Sequence, residues 1–262
     1  MFQRIETSPV EFDMLCAINH NETDRINAIY SQRGYDNDPE YSDINPVYLH
    51  RMHSIERAIL AALKNVGFHT KLADLKVLDF GCGNGRWFGR WIAWGATPAN
   101  LTGVDVRAKA IEMASDKFPQ CIFQTMTPRH IPFANESFDI VFQNVVFSSI
   151  LDSDLRHETA AEMVRVLKPN GVILWCDFIF NNPNNPNVKA VKRLDIKNLF
   201  PDVEELLMKR IILAPPIAKI LVPLSWLAAE FTESCFPFLR THVFAVLRKR
   251  ELNSSTSLKE AI

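Results

Sequence analysis

The stretch Val77-Leu-Asp-Phe-Gly-Cys-Gly-Asn-Gly-Arg-Trp87 gathers three of the chain's 9 glycines directly behind a short apolar run. Glycines cluster in this way where backbone must take left-handed dihedrals or approach something closely. The run before them, LKVLDF, reads as a buried strand, and the residues from Arg86 to Gly95 read as a helix. The decisive unit is therefore strand, tight loop, helix.

The alternation extends in both directions. Upstream, VYLHRMHSIERAILAALKNVG predicts a helix from about Pro46, with Ile55, Ile59, Leu60 and Leu63 at helical spacing and Gly67 as its stop. Downstream come the strand LTGVDV, a helix from Ala108 to Phe118, the strand CIFQT and the strand FDIVFQNVV. A helix from about Leu155 to Leu167 and the strand GVILWCDFIF complete the series. Strands alternating with helices imply βαβ units and a mostly parallel sheet. Asn181 to Asn187, NNPNNPN, then forms a turn-rich linker, and EELLMKRIIL and THVFAVLRKR supply two further strands. Between these lies an apolar insert, about 214–240, which Pro215, Pro216, Pro223 and Pro237 cut into short helices.

Composition narrows the function. Of 262 residues 47% are hydrophobic, enough for a packed core, and 29 basic against 30 acidic residues leave a net charge of −1. That balance argues against a nucleic-acid partner. The 5 cysteines form no CxxC pair and the 7 histidines no HxxxH or HExxH pattern, so no metal site is expected. The opening MFQRIETSPVEFDML carries acids and lacks the apolar stretch of a secretory signal. With the cysteine pattern, it predicts a reducing, cytoplasmic setting. The apolar run Ile211 to Ala229 holds three prolines and Lys219, so no stable membrane insertion is expected.

The loop spacing decides among ligands. A dinucleotide fingerprint GxGxxG needs glycine where Arg86 stands, or at Phe88 if the count begins at Gly83, and a phosphate loop would need Gly-Lys-Ser/Thr. The observed spacing is GxGxG with Asp79 two residues ahead, and a carboxylate there suits a cationic ligand end better than a pyrophosphate. Asp105 ends the next strand, where an acid can accept hydrogen bonds from both ribose hydroxyls, of NAD or of another nucleoside. Asp79 could instead merely cap the following loop and Asp105 a helix, although their neighbours favour ligand contact.

Taken together, Asp79, the GxGxG loop and Asp105 resemble the first motifs of the class I S-adenosylmethionine-dependent methyltransferases. The resemblance runs from about Leu75 to Phe180 and includes FDIVFQNVVFSSILD as the fourth-strand motif and LKPNG as the turn before the fifth strand. It implies a doubly wound, mostly parallel seven-stranded α/β sheet of Rossmann-like type, closed by an antiparallel hairpin and capped by helices. The expected division is a lid segment 1–50, a cofactor-binding core 51–180, closing strands with the insert 181–250, and a flexible tail 251–262. The implied cofactor is S-adenosylmethionine, bound by Asp79, Gly81, Cys82, Gly83, Gly85, Asp105, Val106, Thr127 and Gln143, without metal. Thr127 stands where family members often carry an adenine-binding acid, and no carboxylate occurs from Ile122 to Asn135. Trp87 and Trp91 are expected in the core rather than as a ligand platform.

The resemblance makes methyl transfer to an oxygen, nitrogen or carbon of a small-molecule acceptor the expected reaction. Asp177, at the end of the fifth strand, and His157, past the fourth-strand loop, are the candidate bases. SSILD…RVLKPNG…DF-x-x-NNP also resembles methyltransferases of bacterial secondary-metabolite and surface-glycan pathways, which implies a natural product or sugar intermediate. The alternatives are a non-catalytic module of the same fold and an NAD-dependent oxidoreductase. The insert, with Trp226, Phe231, Phe236 and Phe238, is expected to close the crevice mouth opposite segment 1–45. A second subunit in a homodimer is its next candidate partner and a membrane surface the last.

Overall fold

The computed structural model describes residues 22–30, 39–127, 129–183 and 185–250. Most of the expected lid, the tail 251–262 and their roles lie outside the described residues.

Seven strands form one sheet: β1 (Val77–Phe80), β2 (Leu101–Asp105), β3 (Ile122–Thr125), β4 (Phe138–Asn144), β5 (Leu167–Phe178), β6 (Val203–Leu213) and β7 (Arg240–Lys249). Their spatial order is β3-β2-β1-β4-β5-β7-β6. The first five pair in parallel, whereas β7 runs antiparallel between β5 and β6. The helices are α1 (22–30), α2 (Pro46–Asn65), α3 (Phe88–Ala93), α4 (Ala108–Lys117), α5 (Ser153–Val166), α6 (Arg193–Leu199), α7 (Pro215–Leu224) and α8 (Trp226–Cys235).

Side chains alternate between the two faces of a strand, and here each face has its own core. Val77, Phe142, Leu174, Phe244 and Val246 face α2, α3 and α4, packing against Ile55, Ile59, Trp91 and Ile111. Leu78, Val141, Ile173, Trp175 and Ala245 face the other way, against Met163 of α5 and Ile196 of α6. Central strands buried on both faces are what the near-continuous apolar runs demand. Only β3, at the edge, exposes much of its length.

Three boundaries differ from the sequence reading. β5 begins at Leu167, so LKPNG is a bulged strand entry rather than a free turn. Its register against β4 shifts between Phe138 and Ile140, and Asn170 takes a φ of 61°. Gly171 is required there because an added Cβ would sit 2.9 Å from the Lys168 carbonyl and 3.0 Å from that of Asp139. α3 is shorter than expected, because Gly81 to Trp87 are used by turns before helical geometry begins. α6 was not anticipated at all. Its seven residues give too short a period, and it is held by the Asp195 carboxylate accepting the Lys192 N–H at 2.8 Å and by burial of Ile196 and Leu199.

The insert does form short helices. Pro215 and Pro216 open α7, Pro223 lies in its last turn, and Pro237 opens a closing 3-10 turn. No helix of the described residues is long and apolar enough to cross a membrane.

Phe142 couples α3 to the sheet: its ring meets Trp87 and Trp91 edge-on at centroid separations of 5.1 and 5.9 Å. Phe142→Ala is expected to lower unfolding free energy by about 3–5 kcal/mol in urea titration, with the slope of the transition unchanged.

Candidate active site

β1 lies between β2 and β4, where the order of connection reverses, and a crevice opens at the carboxyl ends of the strands at such a point. The loop leaving β1 is bent by Gly81, Gly83 and Gly85 at φ of 72°, 56° and 76°. It is pinned to β2 because the N–H groups of Gly81 and Cys82 both donate to the Val104 carbonyl, at 2.8 and 3.0 Å. A Cβ on Gly81 would overlap the branched side chain of Val146, and one on Gly83 would crowd the Arg107 guanidinium at 3.2 Å. Gly85 instead lets the loop pack on Phe118 and Ala114.

Beneath this loop lies Asp79, 3% exposed, with Oδ2 buried and without a hydrogen-bond partner. Burial, with the nearby charge of Asp105 adding to it, raises its pKa well above the usual carboxylate value. A buried acceptor left unsatisfied costs stability, and it is relieved by a ligand that brings a positive charge or an N–H. Asp105 is already engaged: Oδ2 accepts from Gly83 N at 2.9 Å, and Oδ1 from the backbone N and Nε of Arg107 at 2.9 and 3.2 Å. It fixes the loop against the start of α4 as well as lining the cavity. The Arg107 guanidinium also stacks over Tyr30, 4.5 Å from the ring centroid, which brings α1 to this side of the crevice.

The crevice is a cavity of about 1270 Å³, larger than the several hundred to about 1,000 Å³ typical of one small ligand. The glycine loop, Asp105 and Val106 form one end. Residues of α2, the ends of β5, β6 and β7, and the first turns of α7 form the other. Two β-branched residues on its wall, Val145 and Ile212, hold left-handed φ of 60° and 67°. Such strain persists only where surroundings enforce it. For Ile212 the enforcement is visible, since its N–H donates to Glu233 Oε1 at 3.2 Å and Ser54 Oγ at 3.3 Å.

The predicted residues divide accordingly. Gly81, Cys82, Gly83, Asp105 and Val106 line the cavity, with Asp79 just beneath the loop. Gly85 packs behind the loop and does not reach the wall. Thr127 is exposed in a small turn with His130, and Met126 lines the cavity in its place. Gln143 is fully buried and tied at both ends, donating to the Cys176 carbonyl and accepting from Val146 N, so Asn144 is the residue of that strand end on the wall.

Neither candidate base is placed to act. Asp177 is fully buried, accepts the N–H groups of Ser148 and Phe178 at 3.1 and 2.9 Å, and lies off the cavity wall. His157 is exposed on α5, with Nδ1 2.8 Å from the Ser153 carbonyl oxygen. Trp226 braces α2, meeting His50 and His53 edge-on, and does not line the cavity; α7 contributes the insert's share of the wall. Arg51 and His242 line it and were not foreseen. For His242 a signal existed: an antiparallel closing strand starts at the carboxyl edge of its parallel neighbours. For Arg51, one polar position on a long helix, there was none.

Residues 77–171 match the family model described as a methyltransferase domain. That match covers the glycine loop, both acids and the bulge into β5. Over this stretch the chain is similar to the class I S-adenosylmethionine-dependent methyltransferases. Its curated relatives include a ubiquinone/menaquinone biosynthesis C-methyltransferase of Campylobacter jejuni, 23% identical over 52% of this chain and 58% of that protein. A phthiotriol/phenolphthiotriol dimycocerosates methyltransferase of Mycobacterium ulcerans is 32% identical over 42% of this chain and 40% of that one. The chain thus spans about half the length of the curated relatives it matches. Among solved structures, a putative sarcosine dimethylglycine methyltransferase from Galdieria sulphuraria superposes with a TM-score of 0.55 at 14% identity, covering 75% of this chain and 85% of that one. The fold also accommodates other chemistry: a [4+2]-cyclase, SpnF, superposes at 0.50 with 16% identity, covering 73% and 82%. S-adenosylmethionine is the cofactor of this methyltransferase family. The orphaned Asp79 oxygen and the glycine cradle that a Cβ would fill fit a sulfonium amino acid joined to a nucleoside.

Gly81→Ala is expected to lose roughly 1–2 kcal/mol from the left-handed dihedral and more from the overlap with Val146, read by urea unfolding. Burial raises the pKa of Asp177 to about 6 from 3.8. The folded state therefore holds more protons than the unfolded between about pH 4 and pH 6, so stability falls as pH rises through that window, by about 3 kcal/mol. Asp177→Asn should remove that slope from a series of melts, and an unchanged slope would exclude Asp177 as its source.

Proposed function

We propose that this protein transfers the methyl group of S-adenosylmethionine to an oxygen, nitrogen or carbon of a small-molecule acceptor, a natural product or sugar intermediate. The observation that carries the reading is the buried, unpartnered Asp79 oxygen beneath three left-handed glycines at one end of a cavity large enough for two ligands.

The cofactor supplies an electrophilic methyl on a sulfonium. The chain's residues then need mainly to position a nucleophile and exclude water. Asp79 would hold the amino end, Asp105 the ribose, and Val106 with Met126 an apolar wall for the base. Strain at Val145 supports a positioning role for the end of β4. Tyr48, Phe178, Phe180 and Leu213 give the acceptor end an aromatic and apolar surface, suited to a partly apolar acceptor. The relatives' names concern a quinone, dimycocerosates and, for an O-methyltransferase of Erwinia billingiae, malonyl-[acyl-carrier protein]. That spread leaves the acceptor to be read from this chain's own wall.

Calorimetry should detect micromolar binding of both S-adenosylmethionine and S-adenosylhomocysteine without added metal. Asp105→Ala should weaken it at least about 10- to 100-fold, because it removes the acceptors for the ribose and also the contacts that tie the glycine loop to Gly83 N and Arg107, with the overall fold retained. Absence of heat at millimolar ligand with folded protein would overturn the reading.

A further inference from the structure

The acceptor end of the cavity contains a cation without an ion pair among the described residues. Four cationic side chains line the cavity, and three are occupied: Lys219 pairs with Glu40 at 2.9 Å, Arg107 with Asp105, and Arg86 donates to the Tyr41 carbonyl and the Tyr48 hydroxyl. Arg51, on α2, has no ion pair among the described residues, and its Nε is buried without a hydrogen-bond partner. Glu40 and Asp105 are the carboxylates among the described lining residues, and both are already taken. A half-buried guanidinium facing a largely apolar wall is costly unless something satisfies it.

His242 stands on the same wall. It begins β7 opposite Phe178 of β5 and Ile211 of β6, is 7% exposed, and has Nδ1 3.0 Å from Thr241 Oγ1. That hydroxyl is farther from its other acceptor, the Ile212 carbonyl, at 3.4 Å. With that hydroxyl donating to Nδ1, the neutral ring carries its N–H on Nε2. Nε2 has no hydrogen-bond partner among the described residues and belongs to a ring on the cavity wall. Burial, with the charge of Arg51 adding to it, holds the His242 pKa well below the ordinary value, so the ring stays neutral and is a poor proton acceptor. In that tautomer Arg51 and His242 both offer N–H donors to the cavity.

We propose that Arg51 and His242 form an anionic-oxygen subsite, so that the acceptor is an acid whose carboxylate or ionised hydroxyl is held there by the guanidinium and by Nε2–H. A planar guanidinium matches such a group in charge and can bind it with two parallel N–H bonds. This subsite explains why neither Asp177 nor His157 needs to reach the crevice: an acceptor that arrives ionised brings its own nucleophile or its own handle. The subsite deepens the methyl-transfer reading and rests on it.

The test uses three probes on the full chain saturated with S-adenosylhomocysteine: benzoate, 4-nitrophenolate and neutral benzamide. Benzoate or 4-nitrophenolate should bind and benzamide should not; comparing the first two tells a carboxylate subsite from one for an ionised hydroxyl. Arg51→Gln should weaken the bound anion about 10- to 100-fold and Arg51→Lys by less, whereas His242→Gln should lower affinity without abolishing binding. S-adenosylhomocysteine affinity and the melting temperature report separately on the cofactor end and on folding. Equal binding of benzamide, undetectable binding of both anions at millimolar concentration, or full anion affinity in folded Arg51→Gln would overturn the subsite. Failure of S-adenosylhomocysteine to bind would overturn the methyl-transfer reading instead, and the anion titration on the ligand-free protein would still decide the subsite.

Discussion

The chain leaving β1 has to turn within a few residues and run back as α3, and it does so with its backbone pressed against β2 and the end of β4. The two N–H groups on the Val104 carbonyl and the Gly83 N–H on Asp105 hold that turn in place. Left-handed dihedrals at three positions, with no room for a Cβ at Gly81, are the cost of that path. Everything at the cofactor end depends on it: Asp79 is roofed over, Asp105 is drawn to the loop, and Val106 is carried onto the wall.

The opposite end of the crevice is built by a different device. α7 and α8 interrupt the β6–β7 pair, and Glu233 of α8 reaches back to accept from Ser54 Oγ of α2 at 2.5 Å and from Ile212 N of β6. His50 closes the group, 3.3 Å from Glu230 and 3.7 Å from Glu233. One buried carboxylate thereby locks insert, helix and strand together. The strained Ile212 backbone follows from that lock, and so does the placing of Arg51 and His242 on one wall. Buried polar networks of this kind specify geometry more than they add stability. The outer face of the insert keeps Ile220, Leu224, Leu227 and Phe231 exposed.

Fold and chemistry separate clearly in this molecule. The fold superposes on a putative methyltransferase and on a cyclase among the similar structures, so the fold alone implies neither reaction. Among the described residues the crevice of this chain carries an acid oxygen without a partner at one end and a guanidinium without an ion pair at the other.

Sequence by itself determined the layered α/β architecture and the glycine-loop end of the crevice, because both are local. Apolar runs of strand length, helical spacing in α2, α4 and α5, and glycines with Asp79 and Asp105 at successive strand ends are set by residues near in the chain. The bulge at LKPNG and the seven-residue α6 were not legible, since register and tertiary burial, not period, create them. Only the tertiary structure decided the opposite end of the crevice. Asp177 and Gln143 were well placed by the rule of strand ends, yet the backbone N–H of Ser148 and the Cys176 carbonyl claim them. Which polar side chain is left without a partner depends on every neighbour that packs around it. Arg51 and His242 lie on a helix and a strand nearly two hundred residues apart, and only the folded sheet brings them to one cavity.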